Sequence, residues 1–261
     1  MLPILWKNLA VLVAISGILW TICCLLRNVN LIDIFWAIGF VLMAWFSLLF
    51  GDRFLVRPVA LTAMVTIWGL RLSGYLAWRN LGKAEDYRYA AMRQNHGSRF
   101  AIVSLFTVFG LQGALIWIIA MPIQIGILSS GDWQAWRWLG VAVWMTGLLF
   151  ESVGDFQLAA FKADPANRGQ VMNRGLWRLT RHPNYFGDFL VWWGLYLVAA
   201  EKESWWWTIV APALMSFLLI RVSGVRLLES SLRHRISGYE EYVARTSSFL
   251  PWPPRNIGDR R

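Results

Sequence analysis

Residues 175–188 read Gly-Leu-Trp-Arg-Leu-Thr-Arg-His-Pro-Asn-Tyr-Phe-Gly-Asp, the richest run of reactive side chains in the sequence. Arg178 and Arg181 suit phosphate oxygens through paired hydrogen bonds. Pro183 suits the first turn of a helix, where free amides favour a nearby anion. His182, Asn184, Tyr185 and Asp188 add an imidazole, an amide, a phenol and a carboxylate. The plainer reading of the two arginines is the positive flank of a membrane helix. Asn184 and Asp188 stand four apart and share a helical face, as do Glu151 and Asp155. Asp33, Arg71, Tyr75 and Glu229 are further polar groups in or beside apolar runs. Such groups are costly in a membrane and by default face a polar cavity. Two more clusters follow. In Glu85–Arg93, Arg88, Tyr89 and Arg93 suit a nucleotide, although an interfacial helix is the slightly better reading. In the tail, Tyr239, Tyr242 and Arg245 precede the apolar, proline-stiffened run Phe249–Pro254, which should lie against the bundle.

The elements that must hold these groups follow from composition. Of 261 residues, 57% are hydrophobic and 15% charged, with 18 Trp. One aqueous core cannot hide so much apolar matter, and soluble domains carry about a quarter charged residues. A membrane admits only helices or closed barrels, and the apolar runs lack the alternation of barrel strands. The expected fold is therefore an all-α membrane protein, a bundle of about seven transmembrane helices. The spans are Leu9–Leu26, Leu31–Phe50, Val59–Trp78, Phe100–Leu128, Trp136–Phe156, Tyr185–Ala200 and Trp205–Val222. The first is too long for a signal segment and reads as a retained span. Pro212 should kink the last, and Trp205–Trp207 should anchor its outer end.

Seven spans sort the loops onto two sides. One side carries 19 of the 25 Lys and Arg, counting Arg27, the loops 79–99 and 162–181, and everything from Arg221 onward. The positive-inside rule then places the amino terminus outside and the carboxyl terminus in the cytoplasm. That asymmetry accounts for the net charge of +10 without nucleic acid. Asp33, Arg71, Tyr75, Asp155, Asn184, Asp188 and Glu229 then fall at one level, as a pocket facing the cytoplasm requires. No two glycines stand two apart, so G-x-G-x-x-G is absent, as are a Walker lysine motif and H-E-x-x-H. Cys23 and Cys24 are neighbours and suit neither an ordinary disulfide nor a metal, and the three histidines are scattered. No metal site is expected.

The string Arg181-His182-Pro183-Asn184-Tyr185-Phe186-Gly187-Asp188, followed by Glu229 and Tyr239…Tyr242…Arg245, resembles the steroid 5α-reductase superfamily of integral membrane proteins. Glu85-Asp86-Tyr87-Arg88-Tyr89 and Phe161-Lys162 are similar to its bacterial steroid-reductase-like branch. The resemblance implies NADPH bound from the cytoplasm and a hydride passed to the C=C bond of an enone in a lipid-like, steroid-like or isoprenoid, substrate. Positions matching the family's cofactor contacts are Asp155, Lys162, Arg178, Arg181, Asn184, Tyr185, Asp188, Tyr242 and Arg245. We add Arg88, Tyr89, Arg93, His182, Glu229 and Tyr239 as cofactor-binding candidates. The family polarises the substrate carbonyl with a glutamate on span two and a tyrosine on span three. Here span two offers Asp33, and Trp68 stands near the tyrosine position, with Arg71 and Tyr75 close by. Asp33, Arg71 and Tyr75 are therefore the catalytic candidates.

Isoprenylcysteine and phospholipid methyltransferases share the Arg-His-Pro-x-Tyr-x-Gly segment but bind S-adenosylmethionine. The isoprenylcysteine enzymes often lack the Asn and Asp found here at 184 and 188, which favours the reductase. A non-enzymatic binding or transport protein is a third reading, weakened because the polar groups gather on one side. The expected organisation is one transmembrane domain over 1–261, with the cofactor-binding part mainly in 151–254. Expected partners are the lipid bilayer and a hydrophobic small molecule, with no nucleic acid. The oligomeric state is left open. The expected location is a multi-pass position in the inner, plasma membrane if the protein is bacterial.

Overall fold

A computed structural model describes residues 1–53, 55–222, 236 and 238–255. Among the described residues the structure is helical, without a strand. The longer helices are α1 (Leu2–Leu26), α2 (Leu31–Phe50), α3 (Val56–Asn80), α4 (Tyr87–His96), α5 (Phe100–Ser104) and α6 (Leu111–Ile119). They continue as α7 (Met121–Leu128), α8 (Arg137–Ala163), α9 (Pro183–Ala199), α10 (Trp205–Thr208), α11 (Val210–Phe217) and α12 (Tyr239–Arg245). Six helical stretches among the described residues are long and apolar enough to cross a membrane: α1, α2, α3, the run Tyr87–Ile119, α8 and the run Trp205–Val222. The chain is thus a multi-pass membrane protein. The helix expected as another span, α9, has 17 residues.

One expected span divides. The sequence predicts one span over Phe100–Leu128, but the helix stops at Ile119 and restarts at Met121. Pro122 is the cause, because it lacks an N–H and its ring crowds the carbonyl four residues back. A π-helical stretch, Leu105–Gly110, joins α5 to α6.

The residues form two compact units. The first comprises Met1–Gln134 and Val198–Ala211. Its core holds Phe40 edge-on to Trp68 at 5.9 Å, both fully buried. Gly69 lets α3 lie against α2, since a methyl there would meet the Ala37 carbonyl at 3.1 Å. Several polar side chains inside this unit pair with one another, as a hydrocarbon surrounding favours. Asn8 of α1 donates to Ser47 of α2 and Gln124 of α7, each at 2.9 Å. Fully buried Arg57 donates to the Gly126 and Ser129 carbonyls at 3.0 and 2.8 Å and is ion-paired with Glu201. It therefore places a cation on the carbonyl end of α7.

The second unit comprises Ala135–Leu197 and the described residues from Pro212 onward. Its organising feature is a glycine seam. Gly140, Gly147 and Gly154 recur every seven residues on α8, facing Gly187 and Gly194, seven apart on α9. A methyl on Gly147 would lie 2.6 Å from the Gly187 carbonyl and the Val191 nitrogen. One on Gly194 would meet the Trp144 nitrogen at 2.5 Å. Small residues let membrane helices approach until their backbones touch. Gly147→Ala should accordingly destabilise the full-length protein by about 1–3 kcal/mol through overpacking. Gly17→Ala, with nothing within 4 Å, should be neutral or slightly stabilising. Thermal unfolding of both variants in detergent checks this, and equal melting temperatures would remove the seam's special role.

Candidate functional site

The second unit contains a cavity of about 440 Å³, within the ~300–1,000 Å³ typical of small-molecule sites. It lies among the end of α8, the loop after it, the start of α9 and α12. The loop is shaped locally. Asp164 accepts from the Ala166 N–H and opens a short 3-10 turn, Pro165–Asn167. Asn167 donates back to the Phe161 carbonyl at 3.0 Å. Gly169 and Gly175 take positive φ, 79° and 58°, which glycine adopts without steric cost. Gln157 then accepts from the Leu176 N–H at 3.0 Å, tying the loop's far end to α8.

The aromatic wall is fixed by two successive hydrogen bonds. The Trp177 indole donates to the Gly154 carbonyl at 3.0 Å, and the Tyr242 hydroxyl donates to the Trp177 carbonyl at 2.5 Å. Tyr239 packs beside Tyr242 at 5.9 Å. Around these rings the cavity carries Lys162, Arg168, Arg181 and His182, with Asp164 as the only acid in its described lining. The cavity is thus largely apolar and aromatic, with a cationic margin.

Of the residues singled out from sequence, Lys162, Arg181, His182, Tyr239 and Tyr242 line this cavity. Four more lie on α8 and α9 outside its lining. Asn184 donates to Asp155 at 3.0 Å across the α8–α9 seam, and Tyr185 stacks on buried His182 with ring centroids 5.4 Å apart. Asp188 follows on α9 with one carboxylate oxygen buried. Arg178 is exposed on the 3-10 turn Gly175–Arg178 and is not in the lining. Arg245 is ion-paired with Glu241 at 2.9 Å and faces a separate cavity. Glu229 lies outside the described residues. Arg168, Trp177 and Gln157 were not among the sequence candidates. Arg168 was legible only as one more loop cation, and Trp177 and Gln157 carry no local signal that separates them from packing residues.

Arg181 has a second task. Its Nη1 donates to the carbonyls of Val243 and Thr246 at 3.0 and 2.9 Å, placing its charge at the carbonyl end of α12. Its backbone N–H bonds to the Ser247 carbonyl, Thr180 donates to Phe249, and Trp252 N–H donates to Leu179. Phe249 packs on Phe186 and Phe189 at 5.9 and 5.6 Å, so the tail does lie against the helices of its unit.

In the first unit, Asp33 joins the Glu85–Arg93 cluster, which sequence reading had kept apart from it. Tyr89 donates to Asp33 at 2.7 Å and Arg88 reaches its other oxygen at 3.3 Å. Arg93 forms a two-pronged pair with Glu85 at 2.9 and 2.7 Å, while Glu85 also accepts the Val29 N–H. Asn30 bridges to the Ala84 carbonyl and the Asp86 N–H. These bonds clamp the α1–α2 turn to the α3–α4 loop, and Asp86 caps α4 by accepting from the Arg88 N–H. Burial pushes the Asp86 carboxyl up, but hydrogen bonds from Arg88 and the charges of Arg88 and Arg79 outweigh it and hold it below 3.8. Tyr75 lies beside Trp78 with Arg79 over its ring, and Trp68 is core. Among the described residues no group of three His, Cys, Asp or Glu is placed to hold a metal.

Residues 19–246 match the family described as Protein of unknown function (DUF1295). The chain belongs to that family. It is also similar to Uncharacterized protein C594.04c of Schizosaccharomyces pombe, at 25% identity over 266 residues, covering 91% of this chain and 76% of that protein. No solved structure matches significantly.

Two outcomes follow from these contacts. Arg181→Ala should strip two carbonyls of their donor and expose the segment after Arg245 to faster limited proteolysis; an unchanged cleavage rate would reduce Arg181 to a surface cation. Because the Asp86 value is depressed, the cap's contribution is full above about pH 3.8 and fades as pH falls through the lowered value. Asp86→Asn should flatten that acid limb in thermal melts recorded from pH 6 downward to about pH 3.

Proposed function

We propose that this chain is an NADPH-dependent membrane reductase of the steroid 5α-reductase type, acting on the C=C bond of an enone in a lipid-like substrate. The observation that carries the reading is the cationic, aromatic-walled cavity of the second unit, with Lys162, Arg168 and Arg181 against Asp164, the one acid in its described lining. That balance suits a polyanion. A nucleotide with phosphates gains from it, whereas S-adenosylmethionine brings a sulfonium cation that does not.

When bound, NADPH supplies the hydride. Lys162 and Arg168, both exposed at the cavity margin, would hold its phosphate oxygens, and Trp177 and Tyr242 would border a flat ring. The Asp155–Asn184 pair and the His182–Tyr185 stack keep the start of α9 rigid behind the cavity. The protonating role proposed for Asp33, Arg71 and Tyr75 rests on the resemblance alone. The same proposal includes seven spans, with α9 as the sixth, the amino terminus outside and the site facing the cytoplasm. The support is the charge asymmetry of the loops.

Titrating the purified full chain with both cofactors separates the readings. Saturable NADPH binding is expected, with Lys162→Ala and Arg168→Ala each weakening it by about 1.5–3 kcal/mol. Binding of S-adenosylmethionine without NADPH would overturn the reductase. Cysteines placed one at a time in the loops 79–99 and 162–181 should resist an impermeant reagent in sealed cells, and labelling of either loop would break the proposed orientation.

A further inference from the structure

The tail builds a second cavity, whose lining shares only Arg181 with the first. Residues 246–255 run back beside Thr180, held by the Thr180–Ser247 bridge and the Trp252-to-Leu179 hydrogen bond. Between this strap and α12 lies a cavity of about 430 Å³, lined by Arg181, Arg245, Arg255, Ser247, Ser248 and Trp252 among others. No Asp or Glu stands in its described lining, and the Glu241 that pairs with Arg245 at 2.9 Å is more than half exposed, so water screens that pair. Arg255 is fixed there by its backbone N–H, which donates to the Arg245 carbonyl at 2.9 Å.

The rim differs from the interior. Leu250 and Trp252 are 62% and 69% exposed, on a strap stiffened by Pro251, Pro253 and Pro254. In a multi-pass membrane protein, exposed Trp and Leu beside a basic cleft match the boundary between headgroups and acyl chains. Guanidinium forks and serine hydroxyls suit a phosphodiester, which presents two free oxygens and one negative charge. A freely soluble phosphate would gain nothing from the apolar rim.

We propose that this tail cleft binds the headgroup of an anionic phospholipid. Arg245 and Arg255 take the phosphate oxygens, Ser247 and Ser248 donate hydroxyls, and Leu250 and Trp252 lie along the upper acyl chain. Arg181 holds the strap in place through the carbonyls of Val243 and Thr246.

The test uses the full chain purified from mixed micelles holding equal phosphatidylglycerol and phosphatidylcholine, with retained lipid counted by native mass spectrometry. The wild type should keep phosphatidylglycerol in preference to phosphatidylcholine. Arg255→Gln and Arg245→Gln should each lower that preference roughly fivefold, the weight of one basic group at an anionic surface. The matching lysine variants, which retain charge and fold, should keep most of it. An undiminished preference in the double glutamine variant, with its melting temperature unchanged, would overturn the site. Displacement of the lipid by millimolar inorganic phosphate would overturn the lipid assignment in favour of a soluble anion. Displacement by NADPH would return these arginines to the cofactor.

Discussion

The contact of α8 with α9 through bare backbone sets the geometry of everything in the second unit. Because Gly147, Gly154, Gly187 and Gly194 have no side chains to hold the helices apart, peptide groups meet where methyls would clash. That closeness brings Asn184 within hydrogen-bonding distance of Asp155 and sets Pro183 against Gly154. It also leaves the Gly154 carbonyl accessible to the Trp177 indole, from which the wall of the cavity is built outward to Tyr242. A wider helix separation would break this sequence of contacts at its first member.

Polar residues in the first unit answer a different demand. Hydrocarbon offers no hydrogen bonds, so groups buried there find partners in the chain. Arg57 ends α7 and meets Glu201, and Asn8 links α1 to α2 and α7. Asp33, at the start of α2 and partly exposed, is paired as well: its partners Tyr89 and Arg88 are part of a clamp that also includes Glu85, Asp86, Arg93 and Asn30. An acid in a span is thus no sure sign of chemistry, since the same desolvation cost that marks a reactive group also drives structural pairing.

Arg181 joins the tail to the rest of its unit and borders open space on two sides. It lines two cavities of the second unit while one nitrogen holds the tail. Variants at this position therefore report on tail docking before they report on any ligand, and Lys162, Arg168 and Arg255 are the cleaner probes of each cavity's charge.

The sequence by itself determined the helical membrane class, the position of most spans and the gathering of reactive side chains in 175–188. These follow from composition, apolar run length and local residue types, which need no partner to be read. Even the glycine spacing of the seam stood in the chain at 140, 147, 154, 187 and 194, but a seven-residue recurrence of glycine names no facing helix. Only the tertiary structure decided which polar residues met. It drew Asp33 to Tyr89, added Arg168 and Trp177 to the cavity and left Arg178 out of its lining. It set Arg245 in another cleft and turned Arg181 toward the tail. Each of these depends on contacts between residues tens of positions apart, and spacing along one helix carries no information about the element packed against it.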